Sequence, residues 1–93
     1  MHAFLEPHRA ALRRLAEHHG LQSIRVFGSM ARNDADAQSD VDLLVEAPGL
    51  SGFALGELLM DAQDLLGRKV DIVTLNALHP AMRDRVLQES EPV

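Results

Sequence analysis

The chain has 93 residues, nine Lys and Arg against fourteen Asp and Glu, a net charge of −5, three Phe and no Cys, Trp or Tyr. One domain spanning 1–93 with an aliphatic core is the expectation. Disulfides and thiolate zinc sites are excluded. Broad nucleic-acid binding is not expected, because it wants a cationic surface and aromatic stacking platforms.

Residues 4–19 read as a helix, with Leu5, His8, Leu12, Leu15 and Ala16 at helical spacing and Pro7 in the first turns. Gly20 and Leu21 then supply a C-terminal cap. Ser23 to Phe27 is a strand with Ile24 and Val26 on one face and Arg25 and Phe27 on the other. Ser29 to Arg32 make a short helical turn, and Asn33 to Ser39 a polar loop. Asp40 to Glu46 is a second strand, ended by Ala47-Pro48-Gly49. The clearest helix covers about 53–66, where Leu55, Leu58, Leu59, Ala62, Leu65 and Leu66 form an apolar stripe and Gly67 stops it. Arg68 to Leu75 holds a third strand, with Val70 and Ile72 on one face and Asp71 and Val73 on the other. Pro80 opens a last helix to about Gln88, with Met82 and Val86 on one side, and Glu91-Pro92-Val93 is a short tail. Helices alternating with strands indicate an α/β layer. No run approaches the ~20 apolar residues of a membrane span. The opening Met-His-Ala-Phe-Leu-Glu-Pro is not a signal peptide, so the cytoplasm is the expected compartment.

The chemistry concentrates in residues 24–46. An apolar strand runs into Gly28-Ser29, ten residues pass, and Asp40-Val41-Asp42 opens the next apolar run. Asp40 and Asp42 project from one face, roughly 7 Å apart at the backbone for two rises of ~3.3 Å. Two anions held so close repel unless a cation lies between them, and Mg²⁺ prefers carboxylates together with substrate phosphates. Gly28-Ser29 offers backbone N–H groups and a hydroxyl at a strand end, as a phosphate cradle requires. Asp71 lies inside a strand, where aspartate is disfavoured and costly if buried alone. It makes more sense as a third ligand than as an accident.

Gly28-Ser29, ten residues, then Asp40-x-Asp42 resembles the G-S-x-D-x-D signature of the DNA polymerase β-like nucleotidyltransferases. The length and the Ser-Met-Ala-Arg-Asn-Asp segment make the chain similar to the minimal nucleotidyltransferase (MNT) domain, usually the antitoxin half of HEPN/MNT toxin–antitoxin pairs. The resemblance covers nearly the whole chain. It implies an α/β (α+β) fold, a small mixed β-sheet flanked by helices and like a pared-down polymerase β palm. It further implies transfer of AMP from ATP to a tyrosine of a partner HEPN toxin, with two Mg²⁺ ions on Asp40, Asp42 and Asp71. Gly28 and Ser29 would take the phosphates. Arg32 is either the triphosphate's counter-charge or a surface arginine. An antitoxin that neutralises by binding alone is the alternative, favoured by apolar side chains exposed on the first or last helix. A small-molecule-modifying transferase normally needs a further domain.

Taken singly, Gly-Ser is a common turn and Asp-x-Asp a solvated strand edge; it is their combination that points to a metal site. Asp34 and Asp36 fit loop solvation better than ligation. The spacing Asp34-x-Asp36-x-Gln38 suggests a calcium loop, but Ser39 replaces its Gly and Val45 stands where the bidentate Glu belongs. The five His have no metal-ligand spacing, and His18-His19 suits a helix C-terminus. No P-loop or dinucleotide fingerprint is present. Many family members have Arg where Met30 stands, and Gly where Asn33 stands. Asn is the residue best able to replace Gly in a left-handed turn, whereas Met30 removes a positive charge from the nucleotide's vicinity.

Overall fold

A computed structural model describes residues 2–36 and 38–93. Ala37, in the polar loop, lies outside the described residues.

The first helix is shorter than its apolar pattern suggests. Glu6–His8 form a 3₁₀ turn and α1 runs Arg9–His18. Its end is stitched by Gly20 N–H donating to the Glu17 carbonyl at 3.1 Å and Leu21 N–H to Ala16 at 2.9 Å, the paired bonds of a Schellman cap. His19 Nε2 lies 2.9 Å from Asp61 Oδ2, so this helix end is tied to the next long helix.

Strand β1 is Ser23–Phe27, α2 is Ser29–Arg32 and β2 is Val41–Glu46. Helix α3, Gly52–Leu66, is opened by Ser51 Oγ accepting from Ala54 N–H and buries Leu58, Ala62 and Leu66 from the expected stripe. Strand β3 is Val70–Thr74, followed by a 3₁₀ turn at Leu75–Ala77. Helix α4, Pro80–Glu89, has Pro80 in its first turn and His79 Nδ1 accepting from Ala81 N–H.

The residues read as a tail are instead a strand. Glu91–Pro92, β4, pairs antiparallel with β1. Val93 is buried, its N–H donating to the Ile24 carbonyl and its carbonyl accepting from Arg13 Nε at 3.0 Å. Two residues are too few for a periodic signal, and proline, lacking an N–H, is tolerated at a sheet edge.

The sheet order is β3-β2-β1-β4, with β1–β2 antiparallel and β2–β3 parallel. The fold is therefore α+β with a mixed sheet. Ile24, Val26, Val41, Leu43, Val45 and Val70 point to one face and join the helix side chains Leu12, Ala16, Leu58, Ala62 and Leu66 in one apolar core. The other face carries Phe27, Asp42 and Asp71 and is covered less completely. Helix α4 lies there beside β1 without burying any residue of its own.

Candidate active site

Register puts three of these residues in a row. Phe27 is opposite Asp42 across the antiparallel pair, and Asp42 opposite Asp71 across the parallel pair. Neighbouring strands lie about 4.8 Å apart and paired residues share a face, so Asp42 and Asp71 are side by side on the open face. Asp40, two residues before Asp42, adds a carboxylate on the same side just ahead of the strand. Lys69 Nζ lies 3.8 Å from Asp40 Oδ2, a partner that the strand pattern alone does not single out.

Burial pushes the Asp42 carboxyl above its ordinary range, and repulsion from Asp71 and then Asp40 adds to this; Arg32 partly opposes it. A carboxylate destabilised in this way favours a cation. Among the described residues no three His, Asp or Glu side chains close into a ready-made metal cage. The available donors are all carboxylate oxygens, which suit Mg²⁺ and leave coordination positions for substrate phosphate.

Gly28 joins this row to the phosphate cradle. Its backbone sits at φ 70°, ψ −148°, and a Cβ placed there would collide with Asp42 Oδ2. Only glycine lets β1 turn into α2 this close to the carboxylate. Ser29 is the first residue of α2. Asn33 ends that helix at φ 64°, ψ 28°, the left-handed turn expected of an Asn in a glycine's place.

Arg32 is held by two carboxylates: Nε donates to Asp34 Oδ2 at 3.1 Å, and Nη1 pairs with Glu89 of α4. These bonds raise its pKa further and keep it a fixed cation near Asp42. Asp34 is thus engaged away from the row. Asp36 does more than meet solvent: Oδ1 accepts from Gln38 N–H at 2.8 Å and from Ser39 Oγ, which holds its carboxyl below the usual range.

Two further residues arrange the site in ways the sequence pattern did not reveal. Arg68 Nη1 donates to the carbonyls of Asp36 and Ser39, at 3.0 and 3.2 Å, and its guanidinium stacks 4.0 Å over Phe4. It anchors the loop that delivers Asp40. Met30 is fully buried in the core cluster, so a side chain there faces away from the phosphate cradle. An apolar side chain at this position suits that packing.

A family model described as nucleotidyltransferase domain matches residues 8–93. The chain belongs to this family. It is 39% identical over 90 residues to protein adenylyltransferase MntA of Thermococcus cleftensis, covering 94% of this chain and 86% of that protein. A solved structure provisionally described as a minimal nucleotidyltransferase superposes with a TM-score of 0.87 at 40% identity, covering 96% of this chain and 92% of the other. A second, described as a toxin–antitoxin with AMP-PNP, gives a TM-score of 0.79 at 25% identity over 90% of this chain and 70% of that one. This nucleotidyltransferase therefore presents its Gly-Ser turn and acidic row on the fold of its relatives.

Proposed function

We propose that this nucleotidyltransferase is a Mg²⁺-dependent protein adenylyltransferase that moves AMP from ATP to a tyrosine of a partner HEPN-type toxin and so serves as its antitoxin in the cytoplasm. The reading is carried by one observation: Asp42 and Asp71 are direct neighbours on the open face, with the Gly28 turn against Asp42. The protein adenylyltransferase name of a 39%-identical relative and the toxin–antitoxin likeness support the acceptor class and the partner.

The Gly28-Ser29 turn and Arg32 bind the triphosphate, with backbone N–H, hydroxyl and guanidinium donors. Asp40, Asp42 and Asp71 would hold two Mg²⁺ ions, which when bound neutralise the leaving pyrophosphate and lower the pKa of the acceptor hydroxyl. Asp71, exposed on the edge strand β3, faces the side open to a protein acceptor and takes the proton from its hydroxyl. The acceptor oxygen bonds the α-phosphorus, the bond from that phosphorus to the bridging oxygen breaks, and pyrophosphate leaves.

The test is to incubate the protein and a co-expressed HEPN-type toxin with MgATP and follow the toxin by intact mass. An added AMP with the wild type and none with Asp42→Asn supports transfer. Met82, on the last helix, is 54% exposed, which gives the binding-only antitoxin a second reading; Phe53 and Met60 are exposed on α3 instead. Toxin inhibition that persists in Asp42→Asn, without a mass change in the wild type, would establish that reading and sink the enzyme one.

A further inference from the structure

Between α4 and the open face of the sheet lies a cleft of about 340 Å³, bordered by Phe27, Gly28, Arg32, Met82, Val86 and Glu89. That volume falls at the lower end of the ~300–1,000 Å³ usual for small-molecule sites. The cleft starts at the residues already assigned to the phosphates. Phe27, one of its walls, is opposite Asp42, and Gly28 is shared with the cradle. Its character changes along α4. The end near Glu89 carries the Arg32 guanidinium and Arg85 lines the middle, whereas the end near Ala81 offers Met82, with Val86 one turn further along the same side of the helix. Ala81 to Glu89 is about 12 Å of helix at ~1.5 Å per residue, enough for a sugar and base extending from a phosphate.

Helix α4 is also built to leave room. It buries none of its residues and is fastened at its C-terminal end. There Arg25 Nε donates to Ser90 Oγ at 2.6 Å, Arg25 Nη2 donates to the Ser90 carbonyl at 3.2 Å, and Arg32 pairs with Glu89. Met82 and Val86 thus border space instead of filling it, leaving apolar area that a planar ring can cover.

We propose that this cleft takes the ribose and base of the nucleotide, with Met82 and Val86 forming the surface against which the base packs. The assignment rests on the reading that Gly28-Ser29 holds the phosphates, and it makes α4 the element that adds affinity for a nucleoside triphosphate over bare polyphosphate. Thioether sulfur against an aromatic ring is a favourable contact.

The test compares MgATP and Mg-tripolyphosphate binding to the full chain by calorimetry, in the wild type, Val86→Trp and Met82→Ala. The indole of Val86→Trp fills the cleft, while Met82→Ala removes packing surface from a helix with no core role. The expected result is tighter wild-type binding of MgATP than of tripolyphosphate. Val86→Trp should weaken MgATP at least tenfold, and Met82→Ala severalfold, with tripolyphosphate affinity within twofold throughout. Equal wild-type affinity for the two probes, or variants that weaken both alike or neither, would overturn the cleft assignment and leave the phosphate cradle standing. A wild type that binds neither probe would instead overturn the phosphate reading, and this assignment with it.

Discussion

Alanine at Gly28 tests the close approach of this turn to Asp42. The glycine's φ of 70° with ψ −148° is a conformation open essentially to glycine alone, and forcing another residue into such a region costs about 1–3 kcal/mol. At roughly 4–8 °C per kcal/mol for a domain this size, Tm should fall by about 4–24 °C. The added Cβ also overlaps Asp42 Oδ2, so the carboxylate must move. A misplacement of about 1 Å in a reacting constellation costs on the order of 100-fold. Gly67→Ala is the matched control. It sits at φ 63°, ψ 25° with nothing within 4 Å of a new Cβ, and should lose about 1–2 kcal/mol from the left-handed backbone alone. Thermal denaturation by circular dichroism and AMP transfer, assayed at a temperature where both variants are folded, separate the two effects. Both should be less stable, and only Gly28→Ala should lose activity by about two orders of magnitude. Equal retention of activity would refute the argument that Gly28 is present to make room for Asp42.

Asp42→Asn removes a carboxylate whose raised pKa means that the folded state holds its proton more tightly than the unfolded one does. That group's stabilising contribution is full below its ordinary pKa of 3.8 and is lost as pH rises through the higher folded value. In EDTA, therefore, the urea midpoint of Asp42→Asn should exceed that of the wild type at pH 7, by a margin that shrinks toward pH 4; a less stable variant at pH 7 would contradict this. Arg68→Ala releases the carbonyls of Asp36 and Ser39 from the guanidinium. Transfer should fall about tenfold or more, and a rate matching the wild type would show that the loop before Asp40 needs no anchor. Leu58→Ala empties a fully buried position and should cost about 2–5 kcal/mol in denaturant titration; a loss below about 1 kcal/mol would mean that the core collapses around the gap.

Local signals carried most of this molecule. The leucine stripe of α3, the Ile24 and Val26 alternation, the Gly67 stop and the Gly28-Ser29 to Asp40-x-Asp42 spacing are short-range patterns, and each foretold its element. So did Asn33, whose left-handed turn depends on its own backbone. Tertiary structure decided the relations between segments. Only the parallel β2–β3 register sets Asp71 beside Asp42, and only the docking of α4 brings Glu89 to Arg32 and leaves a cleft over Phe27. Packing decided that Met30 joins the core, and Glu91-Pro92 read as a tail until β1 supplied its partner. Periodicity and turn propensity are written into neighbouring residues, whereas register, ion pairing and cavities arise between segments distant in sequence, whose proximity is set by burial of the whole core.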